Sequence, residues 1–222
     1  MNLRPLLIVA ALATPALGQS PAVKTSLLTL SLDSKIEDAF FNNGGEVQPF
    51  QADRTGFGAT VKYVGPRQFI LRGSAEEFAE PPPGPPPLSA VLLPEKASMV
   101  LLVGGRAGED QLKLAAYDIS PGDFRAGDYR LFNFSNEALS VVIGTHKFAL
   151  QPGADRIVSQ ASWREKIADI PVRIASMEDG KPRQVYASIW GHQSVKRNYI
   201  FLLNGSHPTR PVGIRRFSDY PD

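Results

Sequence analysis

Short runs in which apolar and polar residues alternate, closed by glycine or proline, recur along this chain and leave little room for anything but β-strands. Residues 25–32 place Leu28, Leu30 and Leu32 on one side of an extended backbone. Phe57, Ala59, Val61 and Tyr63 alternate with Gly58, Thr60, Lys62 and Val64, and Gly65-Pro66 then turns the chain into residues 68–72. Runs at 97–103 and 111–118 follow, separated by Gly104, Gly105 and Gly108. The 19 glycines and 19 prolines supply the many turns that such a pattern needs.

The second half is patterned more sharply. Residues 129–134, 139–143 and 146–150 read as three strands. Gly144-Thr145 suits a two-residue hairpin of the II′ type, which pairs Ile143 with His146, Val141 with Phe148 and Leu139 with Leu150. Residues 171–176, 183–190, 196–203 and 209–217 continue as an antiparallel meander, with a turn at Asp179-Gly180. Two segments depart from the pattern. Residues 159–169 suit a short helix. Residues 81–87, PPPGPPP, cannot donate to a ladder and predict polyproline II in a loop.

Residues 1–18 read as a secretory signal peptide: Arg4 is the positive flank, 6–12 the apolar run, Pro15 its break, and Ala16-Leu17-Gly18 the small-residue cleavage site. The apolar run is too short to span a bilayer and no later stretch reaches spanning length, so the mature chain is expected to be exported, periplasmic or extracellular, without a transmembrane segment. A membrane β-barrel is set aside because the strands are mostly short and the chain ends in a polar tail. The absence of cysteine removes disulfides, thiolate metal sites and a cysteine nucleophile. With 24 Lys+Arg against 22 Asp+Glu, no nucleic-acid partner is expected. The expected fold is all-β: two consecutive antiparallel β-sandwich-like domains after the signal peptide, at 23–118 and 122–217, meeting at Ser120-Pro121-Gly122-Asp123.

Residues 126–153, AGDYRLFNFSNEALSVVIGTHKFALQPG, resemble a pattern that recurs in exported bacterial β-sandwich proteins of unknown function: a turn, a strand ending in Asn-x-Ser, a hairpin and a closing Pro-Gly turn. Residues 62–71, KYVGPRQFIL, are similar to segments of the same proteins. The resemblance implies an exported all-β protein and no particular activity.

No catalytic arrangement stands out. His146, His192 and His207 are scattered, and no zinc-protease or nucleophile-elbow pattern occurs. Ser194 lies two residues from His192, but both fall in a hairpin loop. Gly104-Gly105-Arg106-Ala107-Gly108 lacks the Gly-Lys-Ser/Thr and the helix of a phosphate cradle. The acidic residues Asp33, Glu37 and Asp38, and Glu76 with Glu77, do not form a calcium loop. No cofactor or metal is expected, and the chain is not expected to be an enzyme.

One surface draws a functional expectation. If 185–190 pairs with 197–202 across the loop at 192–195, then Tyr186, Trp190, Arg197, Tyr199 and Phe201 share one face. Were the aliphatic opposite face core, these five would form an aromatic platform with a cation beside it, suited to a sugar ring or a partner's side chain. The alternative is that the aromatic face is itself core. The leading functional expectation is a non-catalytic, envelope-associated binding or scaffolding protein that contacts a protein partner or a glycan. A glycan- or ester-active hydrolase with a spatially assembled site, and a purely structural accessory protein, are the alternatives.

Overall fold

The computed structural model describes residues 22–79, 84–108, 111–159, 169–178, 181–207 and 210–221. The signal-peptide reading, residues 160–168 of the helix expected at 159–169, the Asp179-Gly180 turn and Pro81 to Pro83 of the proline run lie outside these residues. Apart from a single 3-10 turn at Glu76–Phe78, every described element is a strand, so the chain is all-β. In order they are β1 (Ala22–Ser31), β2 (Ile36–Asn43), β3 (Glu46–Ala52), β4 (Val61–Pro66), β5 (Gln68–Leu71), β6 (Ser89–Leu92), β7 (Met99–Arg106) and β8 (Leu112–Asp118). They continue with β9 (Tyr129–Asn133), β10 (Leu139–Ile143), β11 (His146–Leu150), β12 (Asp155–Val158), β13 (Asp169–Glu178), β14 (Lys181–Gly191), β15 (Arg197–His207) and β16 (Arg210–Asp219).

The strands form three four-stranded sheets, ordered β4-β1-β7-β8, β12-β9-β15-β16 and β11-β10-β13-β14, with two hairpins, β2-β3 and β5-β6. A bridge between Phe40 and Arg72 joins the hairpins. The hairpin β10-β11 has the expected register, Ile143 with His146 and Leu139 with Leu150. Gly144 adopts the positive φ of 58° that such a turn requires.

The expected antiparallel pairing is corrected in two places. β1 runs parallel to β7, with Leu28 beside Leu101, and β9 runs parallel to β15, with Leu131 beside Ile200. Parallel pairs are stable when both faces are covered, and these two sheets lie in the middle of the molecule. Leu27, Val100 and Leu102 face Phe41, Phe50, Phe69 and Leu71 of the hairpins. Leu28, Leu30, Leu101 and Val103, on the other face, meet Phe132, Tyr199 and Phe201. Leu131, Ile200 and Leu202 then meet Val141, Val172, Ile174 and Trp190 of the last sheet. Three clusters thus separate four layers: hairpins, first sheet, second sheet, third sheet.

The second correction concerns β14. It pairs with β13, whereas β15 pairs with β16 and β9. The chain crosses from the third sheet to the second between Gly191 and Arg197, so 185–190 and 197–202 do not form a hairpin.

Candidate functional site

The crossover dismantles the expected platform. Trp190 is 0% exposed and sits in the core between the second and third sheets, its ring stacked 6.0 Å from Tyr129. Its indole N–H donates to the hydroxyl of Tyr186, which is half-buried against the same core, at 2.9 Å. Tyr199 and Phe201 point the other way, into the cluster shared with the first sheet. Arg197, 1% exposed, donates through Nε to Asp219 at 2.9 Å and through Nη1 to the Ile119 carbonyl at 2.7 Å. Tyr199 donates its hydroxyl to the same Asp219 at 2.9 Å. Burial pushes the Tyr199 phenol far above its usual range and the Tyr129 phenol up to about 12. The five residues therefore belong to two different sheets and face two separate cores, so they offer no common docking surface. The aromatic face is core because β15 is a central strand, covered from both sides.

The other sequence candidates resolve into structural contacts. His146 opens β11, His207 ends β15, and His192 follows β14 with Nδ1 3.2 Å from the Tyr129 hydroxyl. Partial burial lowers the His192 imidazole below its ordinary range. Ser194 is exposed in the crossover. Gly104 and Gly105 lie within β7 rather than in a loop. A Cβ on Gly104 would come within 2.9 Å of the Ile36 Cδ1, so a larger residue there would have to displace the end of that side chain. Asp38 pairs with Arg106 at 2.7 Å, and that hydrogen bond holds its carboxyl below the usual range. Asp33 accepts from the Arg106 amide at 2.8 Å, and Lys35 pairs with Glu37. Among the described residues, no three His, Cys, Asp or Glu side chains are grouped to hold a metal. No described helix is long and apolar enough to cross a membrane.

Two surfaces that the sequence reading did not single out are open. The first is a cleft of about 420 Å³ between β3, β1 and the segment leading into β4. Leu27, Phe41, Phe50 and Ala52 form its buried floor, and Phe57, Ala59 and Val61 line one wall. Several polar groups of the lining are already engaged. The Thr29 hydroxyl donates to the Gln51 carbonyl at 2.7 Å, and Asp53 accepts from the amide and hydroxyl of Thr55, each at 2.8 Å. Those Thr55 bonds hold the Asp53 carboxyl below the usual range. The cleft exists because β2 and β3 fold over the first sheet. Their tight turn, Gly44-Gly45 with φ of 64° and 99°, is the sequence signal that would have revealed the hairpin.

The second surface is the side of the molecule where β14 and β16 are the outermost strands of the third and second sheets. These strands carry Lys181, Arg183, Arg210, Arg215 and Arg216 against a single acid, Asp219. The Arg216 guanidinium lies 4.4 Å over the Trp190 ring and ties the two edges together.

No protein-family model matches the chain, and no curated protein matches it either.

Proposed function

We propose that the chain is an exported, non-catalytic binding or scaffolding protein of the cell envelope, and that it holds its partner at the cleft beside β3. The observation that carries this reading is the cleft itself: a concave, aromatic-floored site within the size range of ligand pockets. A sugar needs several polar groups left available to receive its hydroxyls, and a site lacking them discriminates against it. Here the Thr29 hydroxyl proton and Asp53 Oδ1 are held in internal hydrogen bonds, and the floor of Leu27, Phe41, Phe50 and Ala52 is apolar. The lining therefore favours an apolar side chain of a partner protein over a glycan.

The finer organisation belongs to the same proposal. Residues 23–118 and 122–217 act as two sandwich-like units joined through a common core. Supporting this is the cluster in which Leu28, Leu30, Leu101 and Val103 of the first unit meet Phe132, Tyr199 and Phe201 of the second.

The test uses purified mature protein against fractionated envelope, with peptidoglycan and polysaccharide alongside. Ala59 is exposed and lines the cleft, so Ala59→Trp fills the mouth without entering the core. Retention of one discrete protein that Ala59→Trp abolishes is the expected result. Retention on a glycan fraction, retention indifferent to Ala59→Trp, or no retention overturns the cleft reading.

A further inference from the structure

We infer that the basic β14 edge takes an acidic, extended segment of a partner protein as a fifth strand of the third sheet. An edge strand presents a row of backbone amides and carbonyls, and an incoming strand gains affinity from that row and selectivity from its side chains. β14 offers this row over 11 residues, with no strand beyond it among the described residues.

Charge selects the occupant. Lys181 on β14 and Arg210 and Arg216 on β16 are exposed. Across both strands the only carboxylate is Asp219, which is taken by Arg197 and Tyr199. A second copy of this chain, laid edge to edge, would bring like charges together and is disfavoured. A strand bearing Glu or Asp on alternate residues meets cations from two adjacent strands at once. Its intervening apolar residues meet Ile189, which is 70% exposed on the outer face of β14. This surface is separate from the cleft, so the inference stands or falls without it.

The probe is a fluorescein-labelled peptide of eight residues alternating Glu and Val, titrated by anisotropy against the full mature chain. Binding that weakens with added salt is expected. The double variant Lys181→Glu/Arg210→Glu changes two exposed side chains and should bind roughly tenfold more weakly, with circular dichroism and melting confirming that it is folded. Two further peptides separate strand pairing from simple charge attraction. Backbone N-methylation on even positions, or on odd positions, removes opposite rows of donors. One of the two must lose binding while the other keeps it. The cleft variant Ala59→Trp should bind the peptide like the unaltered chain.

Loss of binding with neither N-methylated peptide, or equal binding of a Lys-Val counterpart, overturns strand addition. Binding to phosphatidylglycerol vesicles but not to the peptide reassigns the surface to anionic lipid. No binding to either leaves the charges as a guard against self-pairing and likewise overturns the inference.

Discussion

Arg197 is the side chain whose loss should cost the centre of the molecule most. It is buried, it satisfies Asp219 and the Ile119 carbonyl together, and Tyr199 shares the same carboxylate. Removing one partner of a buried pair strands the other, at about 3–5 kcal/mol. Arg197→Ala is therefore expected to lower the unfolding free energy read from urea titration by that amount, and Arg197→Lys to recover only part of it. Trp190→Ala should cost about 3–5 kcal/mol through cavity formation. It should reduce stability first and affect any binding only through that loss. His192 gives a pH signature. Its folded-state pKa lies below that of the unfolded chain, so the unfolded state binds the extra proton first. Its contribution is full above about pH 6.5 and is lost as pH falls through the lowered folded value. Melting curves of His192→Gln should be flatter across that window than those of the unaltered chain. At this scale the sequence showed which side chains are aromatic or cationic but not which of them meet: Trp190 and Tyr186 pack in one core, Tyr199 and Phe201 in another. It could not tell core from surface, because alternation reveals that a strand has two faces and not which of them is covered.

Elements with local partners were legible. The β10-β11 register follows from two turn residues and five on either side, all within a dozen positions. Gly144→Val should cost about 1–2 kcal/mol, because a β-branched residue resists the positive φ at that turn. A thermal melt beside Gly144→Asn, which tolerates the conformation, checks this. The hairpin β15-β16 holds a second constraint. A Cβ on Gly205 would lie only 1.6 Å from the Arg210 carbonyl oxygen, so Gly205→Ala must displace the start of β16. Parallel pairs were not legible, since β1 meets β7 and β9 meets β15 across more than 60 intervening residues, and turn signals report only the pairing of strands on either side of a turn. The assumption that consecutive strands pair then joined β14 to β15. What separates them is a crossover at residues 192–196, not a tight turn.

At the scale of the whole molecule, the question is whether residues 23–118 and 122–217, the first and second halves of the chain, unfold together. Both tryptophans, Trp163 and Trp190, lie in the second. Leu101 lies in the first and packs into the shared cluster. Leu101→Ala should cost about 2–5 kcal/mol, and tryptophan fluorescence should register the shift. An unchanged tryptophan midpoint would mean that the halves unfold independently. Limited proteolysis gives a second check. Ile119 and Phe124 are buried beside the connection, so cleavage between them is expected only once the shared cluster opens.

The arginines that join the halves also impose an order in time. Arg215 donates to the Leu32 carbonyl at 2.8 Å, Arg197 to that of Ile119 at 2.7 Å, and Arg130 to that of Asp118. In each case the donor is synthesised after the acceptor, by up to 183 residues for Arg215 and Leu32. A chain delivered amino end first thus leaves the inner faces of β1 and β7 without Tyr199 and Phe201, and the Leu32 and Ile119 carbonyls without their arginines, until its last two strands emerge. Completion of the centre is deferred to the end of synthesis. A chain held in that unfinished state is the form that a holding chaperone would meet.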